Sequence, residues 1–401
     1  MLRRAAPWLF AALMLSACAT TPTPSRETPP TRTEPTQPAP AGFALEPADF
    51  GSLPGWGSAD LRPALTALIR SCDGRRQRDP AAALPGGGRY GGRVGDWQSA
   101  CDAARIVAPG GERAFFETHF IPYAVRGEGE ARLTAYYEPI IEARRVPEGM
   151  FSEPLLSRPS DMVSVNVAAF AEAYDNEALR GAPRQLTGQL NGAEVRPYPR
   201  RGELTPYQGQ AFAYAHPVDL YNLQIQGSGR IAFPDGTQAR AAYAAQNGYR
   251  WNSALGALRA RGEIQGATWQ NFKAWSNERG IEATRQALAA DPSYVFFQEE
   301  TIDDPTAGPR GAAGVPLTGM GSIAVDPSYH PYGAVVFVDG TYGGAPFQRL
   351  LVAQDTGGAI RRGPLRGDVF FGSGAEAGRA AEQMNGPARW WTLLPRSVPI
   401  A

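Results

Sequence analysis

Three aspartates near the end of this 401-residue chain stand where carboxylates can do acid–base chemistry. Asp326 lies in Gly321-Ser-Ile-Ala-Val-Asp326-Pro-Ser-Tyr-His-Pro331-Tyr-Gly333, Asp355 in Leu351-Val-Ala-Gln-Asp355-Thr-Gly-Gly-Ala-Ile360, and Asp368 in Arg366-Gly-Asp368-Val-Phe-Phe-Gly372. Each follows or opens a short apolar run. That predicts carboxylates at strand ends, where loops leave a rigid scaffold and chemistry commonly sits. Gathered at one rim and partly buried, such carboxylates raise the pKa of one member above the ~3.9 of an isolated Asp. A carboxylic acid kept protonated near neutral pH is a general acid.

The elements that must position them read as strands: Val295–Phe297, Ala334–Val338, Leu350–Ala353 and Val369–Phe371, with Asp339-Gly340 as a hairpin-type turn. Upstream, Leu61, Leu65, Leu68 and Ile69 make one apolar helical face, with Asp60 placed as its N-cap. Trp97–Val107 and Arg113–Phe120 read as further helices, and the Gly-rich Leu84–Gly95 as a loop. From Arg132 the period changes to two, with Leu133, Ala135, Tyr137 and Pro139 alternating against Thr134, Tyr136 and Glu138, predicting a strand. Between Ile141 and Phe233 prolines and short apolar runs predict a β-rich segment, with Asn222–Ile225 and Arg230–Phe233 as strands around Gln226-Gly-Ser-Gly229. Pro234-Asp-Gly236 makes a turn, and Ala241–Ala290 reads as helical, interrupted at Gly262 and Gly280.

Composition narrows the function classes. Net charge is zero, so no basic footprint points to nucleic acid. With 46 Gly and 36 Pro, the chain favours a loop-rich β-containing fold over a helical bundle. His119, His216 and His330 are the only histidines, which argues against a His-based metal site and a Cys–His nucleophile. Gly357-Gly358 is followed by no Gly-Lys-Ser/Thr, so it is not a phosphate loop. Arg3-Arg4, the apolar run Trp8–Leu15 and Leu15-Ser-Ala-Cys18 predict an export signal, too short to span a membrane. The Leu-Ser-Ala-Cys ending resembles a bacterial lipobox. That makes Cys18 the expected lipidated residue, and Ala19 after it leans towards the outer membrane by analogy with lipoprotein sorting. Thr20 to Gly42 is too polar and Pro-rich to fold, and predicts a tether reaching on the order of 60 Å. Cys72 and Cys101, an even pair in an exported chain, read as a disulfide, with two buried free thiols as the alternative.

The segment Pro316–Leu394 resembles the three-aspartate (3D) double-psi β-barrel domain of the membrane-bound lytic murein transglycosylase A family. Leu133-Thr-Ala-Tyr136-Tyr137-Glu-Pro139, Asn222-Leu-Gln-Ile-Gln226-Gly227-Ser228-Gly229, Asn247-Gly-Tyr249 and Asp291-Pro-Ser-Tyr-Val-Phe-Phe297 fall in the family's order. The resemblance covers roughly Leu133 to Leu394. It implies a mainly β fold with flanking helices (α+β). A double-psi β-barrel domain, residues 43–140 plus 235–401, would be interrupted by a smaller β-rich substrate-binding domain, 141–234, with the glycan in the groove between them. Residues 1–17 would be signal and 18–42 tether.

The resemblance also implies chemistry. The family cuts the β-1,4 bond between N-acetylmuramic acid and N-acetylglucosamine without water. The muramic acid's own C6 hydroxyl attacks C1 and leaves a 1,6-anhydro ring. An ordinary glycosidase needs two carboxylates. A tethered nucleophile removes that need, so one acid suffices. Asp368 matches that acid/base, with Asp355 and Asp326 as hydrogen-bonding and charge-tuning partners. Turn-capping is the plain alternative for Asp355 and Asp326. Gln226, Gly227, Ser228 and Gly229 are candidate sugar contacts, and of Tyr136 and Tyr137 alternation predicts that one stacks a sugar while the other fills the core. Trp390 and Trp391 are expected in the core. No metal or cofactor is implied. The expected partners are peptidoglycan strands and a membrane reached through the lipid. The expected location is the outer membrane of a Gram-negative cell, facing the periplasm. A hydrolytic glycosidase on a similar barrel and a non-catalytic wall-binding lipoprotein are the competing readings.

Overall fold

The computed structural model describes residues 43–399 apart from 87–89, 130, 181, 184, 205–208, 267, 361 and 362. Cys18, the signal and the tether lie outside the described residues. Within them the fold is mixed, with helices flanking two large sheets and one small sheet.

The larger sheet has nine strands. In spatial order they are Ala44–Pro47, Phe120–Arg126, Arg389–Pro395, Val335–Tyr342, Ala345–Asp355, Ser322–Val325, Arg366–Ser373, Arg132–Glu138 and Asn385–Gly386. Alternation along each strand splits the side chains between two cores. Val335, Phe337, Leu350 and Val352 face the helices Arg62–Arg75, Gln98–Ala104 and Glu112–His119. Val336, Val338, Leu351, Val369, Leu133 and Trp390 gather on the other face, so the sheet curls about a core of its own. Its ladder does not return to Ala44–Pro47, so the closed barrel rests on the family resemblance and not on hydrogen-bond closure. Trp390 and Trp391 are both buried, as core residues.

The second sheet has six strands, ordered Val295–Glu300, Gln238–Gln246, Gly229–Ala232, Ile140–Arg144, Ala211–Ala215 and Glu153–Leu156. Four of its strands lie within 140–234 and two, Gln238–Gln246 and Val295–Glu300, lie beyond it. The small sheet, Met162–Asn166, Gln185–Asn191 and Glu194–Pro197, lies wholly inside that range.

Several local expectations need correction. Asn222–Ile225 is not a strand but part of the helix Pro217–Gln226. Pro217 at its first turn, Asp219 behind it and Gly227 at φ +84° after it are ordinary start and stop signals. Ala241–Gln246 is strand and not helix, paired with Val295–Glu300 and at Ala241 also with Gly229, so sheet pairing overrides the helix propensity of alanine. Asp339-Gly340 runs inside a strand. The hairpin turns instead at Gly343-Gly344, both at positive φ. Asp60 sits one residue before the cap position Leu61 of Arg62–Arg75, and its carboxylate accepts from the Arg62 amide at 3.2 Å. A disulfide joins Cys72 and Cys101 in the structure, S–S 2.00 Å, tying that helix to Gln98–Ala104.

Candidate active site

Sheet register brings two of the three aspartates together. Ala324 on the central strand stands opposite Asp355 on one side and Asp368 on the other, and Thr134 stands opposite Asp368 on the next strand. Laterally paired residues share a face. The row Asp355, Ala324, Asp368 and Thr134 therefore places two carboxylates on either side of a side chain that is only a methyl group. Gln354 anchors this end from below: its Nε2 donates to Ala67 O and Ser71 Oγ, and its Oε1 accepts from Ser322 Oγ.

The two carboxylates differ in how they are held. Asp355 accepts on both oxygens, from the Tyr136 hydroxyl at 2.7 Å and from the Ala312 amide at 2.9 Å. Asp368 accepts on Oδ1 from Thr134 Oγ1 at 2.5 Å, and Arg366 Nη2 donates to the same Thr134 hydroxyl at 2.8 Å. No protein donor among the described residues reaches Asp368 Oδ2. Both side chains are partly accessible yet so closely surrounded that burial pushes both carboxyls above the ordinary carboxylate range. For Asp368 the Asp355 charge adds to the rise, against the Thr134 hydrogen bond and the Arg366 charge. Two donors at Asp355 suit an ionised carboxylate. The open oxygen of Asp368 is where a proton can sit and be delivered.

Asp326 is placed differently. It is buried, and its oxygens accept from the Ser328 amide at 3.0 Å and the Gly363 amide at 3.1 Å. It thereby ties its own turn to the loop that leads into the Asp368 strand. His330 does related work. Its Nε2 lies 2.6 Å from Pro364 O, a group that can only accept, so Nε2 carries the proton and Nδ1 accepts from the Tyr90 hydroxyl at 2.5 Å. Burial pushes His330 below its ordinary value, which suits a neutral ring stacked on Trp390.

Tyr136 and Thr134 are two apart on one strand and share a face, each giving its hydroxyl to one aspartate. Tyr137 faces the other way. Its hydroxyl accepts from Asn222 Nδ2 at 2.8 Å, and its amide donates to Gln226 Oε1 at 3.3 Å. Both tyrosines are half-buried. A Cβ on Gly227 would meet nothing within 4 Å. Ser228 is buried, with Oγ accepting from the Tyr243 amide, and Gly229 is packed against Pro139 O. Thr134, Arg366 and Ala312 were not legible as site residues: a lone hydroxyl, a guanidinium and an amide carry no spacing signal. Among the described residues no cluster of three His, Cys, Asp or Glu side chains is placed to hold a metal ion.

Two carboxylates with raised pKa values side by side suit acid–base chemistry. Residues 132–298 match the family model described as the MltA specific insert domain, and residues 321–394 match the 3D domain. Membrane-bound lytic murein transglycosylase A of Vibrio cholerae is 30% identical over 283 residues, 68% of this chain and 67% of that relative. The protein of the same name from Escherichia coli K12 is 30% identical over 276 residues, 66% of each chain. Among solved structures, a membrane-bound lytic murein transglycosylase from Agrobacterium tumefaciens superposes with a TM-score of 0.72 at 31% identity, covering 88% of this chain and 98% of that one. MltA from Neisseria gonorrhoeae gives a TM-score of 0.72 at 27% identity, covering 89% and 92%. The chain belongs to the MltA family and is a lytic transglycosylase.

Proposed function

We propose that this enzyme cleaves the β-1,4 bond between N-acetylmuramic acid and N-acetylglucosamine in peptidoglycan without water, leaving 1,6-anhydro ends. The carrying observation is the pair of partly buried carboxylates, one held by donors on both oxygens and one with an open oxygen. Asp368 gives its proton to the leaving glycosidic oxygen as the bond to C1 breaks. The Asp355 charge steadies the oxocarbenium-like transition state. The C6 hydroxyl then bonds to C1 and returns its proton to Asp368, so the acid is regenerated and no water is consumed. Tethering supplies the effective concentration that a bound water would otherwise need.

The proposed sugar contacts are Tyr137, Gln226 and Gly227, at the turn where the Pro217–Gln226 helix meets the Tyr136 strand. Ser228 and Gly229 shape that turn, Tyr136 holds Asp355, and Asp326 holds the loop before Asp368. The proposed insert is the six-stranded sheet with its small satellite, about 140–300, in place of 141–234. The relatives' designation as membrane-bound and the lipobox-like Leu15–Cys18 support a lipid anchor at Cys18 and an outer-membrane site facing the periplasm. Among the described residues no helix is long and apolar enough to cross a membrane.

Mass spectrometry of muropeptides released from sacculi by the purified protein in detergent tests the reaction. Products lighter than reducing-end muropeptides by one water, and inert to borohydride, are expected. Reducible products would make the enzyme a hydrolase, with Asp355 as its second carboxylate.

A further inference from the structure

Glu138 was read in the sequence only as part of a strand. Its carboxylate is fully buried and both oxygens are paired. Oε1 accepts from Arg240 Nε at 2.8 Å, and Oε2 from Arg230 Nε at 2.9 Å and Ser373 Oγ at 2.5 Å. The guanidinium groups continue to backbone: Arg230 Nη2 donates to Pro305 O at 2.9 Å, and Arg240 Nη2 to Ala307 O at 2.8 Å. One carboxylate thus joins the strand carrying Thr134 and Tyr136, two strands of the six-stranded sheet, the 305–307 segment and the end of the Asp368 strand.

Two features make this a joint and not ordinary packing. Arg230 and Arg240 are direct cross-strand partners, an arrangement that repels unless an anion lies between them. On the other side, the ladder between the Asp368 and Tyr136 strands slips by one residue between the pairs Phe370–Tyr136 and Ser373–Glu138. Gly372, at φ +114°, absorbs the bulge, and Ser373 is then pinned to Glu138. Asp368 lies five residues before this anchor and Gln226 lies four before Arg230, so Asp368 and the Gln226 turn are both referred to one carboxylate.

We propose that Glu138 is a positioning residue for cleavage, setting the Gln226 turn at a fixed distance from Asp368. This rests on the reading of Asp368 and the Gln226 turn as the glycan site. Glu138 touches no sugar and acts through Arg230, Arg240 and Ser373. Loosening the joint leaves each sugar contact in place but lets the scissile oxygen drift from Asp368, and displacements of about 1 Å can cost ~10²-fold in rate.

The test uses the full-length protein in detergent on purified glycan strands, comparing wild type with Glu138→Gln and Ser373→Ala. Glycan affinity is measured for each in an Asp368→Asn background, and folding by near-UV circular dichroism. The expected result is a fall in kcat of roughly 30-fold or more for Glu138→Gln and about fivefold for Ser373→Ala. Glycan Kd should change by less than about threefold, and the basic limb of the pH profile should not move. A kcat within about threefold of wild type in a folded Glu138→Gln overturns the proposal, as does a kcat that merely tracks the folded fraction. If Glu138→Gln does not fold, Ser373→Ala decides: wild-type kcat overturns the proposal. A wild type that cleaves no glycan overturns the functional reading and this proposal with it.

Discussion

Two acidic sites are served from the Arg132–Glu138 strand, buried Glu138 at its end and the partly buried Asp355 and Asp368 beside Tyr136 and Thr134, and they are treated in opposite ways. Glu138 has two guanidinium groups and a hydroxyl around it. Reached from Thr134 and Tyr136, Asp368 and Asp355 receive hydroxyls and an amide but no ion pair among the described residues. A buried charge that is fully paired is fixed and structural, and removing its partner leaves other charges stranded. A partly buried carboxylate with no ion-pair partner keeps its proton to higher pH, which costs the fold and serves the chemistry. The folded pKa values of Asp355 and Asp368 are raised. Stability from these groups is therefore fully present below the unfolded value of ~3.9 and is lost as pH rises through the folded values.

Substitutions should separate the two sites by sign. Asp368→Asn is expected to lower turnover by roughly 10²–10⁴-fold, measured as release of soluble muropeptides. It should leave Tm unchanged or higher at neutral pH, since an ionisable group that costs stability is removed. Glu138→Gln should do the reverse to stability, lowering it by roughly 3–5 kcal/mol in urea unfolding, because two buried cations lose their anion. A rise in Tm for Glu138→Gln would dissolve the contrast.

Smaller changes sharpen the assignment within the aspartate pair. Asp355→Asn should reduce kcat roughly tenfold and move the basic limb of the kcat/KM profile to lower pH. The sign follows from the Asp355 charge, which raises Asp368 and is then gone. Thr134→Val should move the same limb to higher pH, because the hydroxyl it removes favours the ionised form. Its effect on kcat at low pH should stay within roughly fivefold, about the worth of one hydrogen bond. Limbs moving in the same direction for both variants would break the scheme.

The sequence made one side of this contrast readable and hid the other. Asp355 closes one apolar run and Asp368 opens another, so their placement near strand ends was legible. Their meeting across Ala324 depends on the register of three strands from one segment plus a fourth from residue 132, and no local pattern encodes that. Glu138 sits between Tyr137 and Pro139 like any strand residue, and its partners are 92 and 102 residues away. Asp326 shows the converse limit. Its setting after an apolar run and the family resemblance grouped it with the other two, yet Asp-Pro-Ser followed by a turn is also a signature of a side chain that caps its own backbone, and its oxygens accept from the Ser328 and Gly363 amides. The helix ending at Gln226 was legible from Pro217 and Gly227, and was missed because the short apolar run Leu-Gln-Ile fits strand and helix alike.

The assignment of the proton to Asp368 is tested most directly by carbon-13 NMR titration of aspartate carboxyls in the labelled protein, with signals assigned by Asp368→Asn and Asp355→Asn. The expected result is a signal absent from Asp368→Asn that titrates above the ordinary ~3.9 and moves down when Asp355 is neutralised. An Asp368 signal that titrates at or below that value, with Asp355 retaining its proton to higher pH, would transfer the acid role to Asp355 and contradict the mechanism.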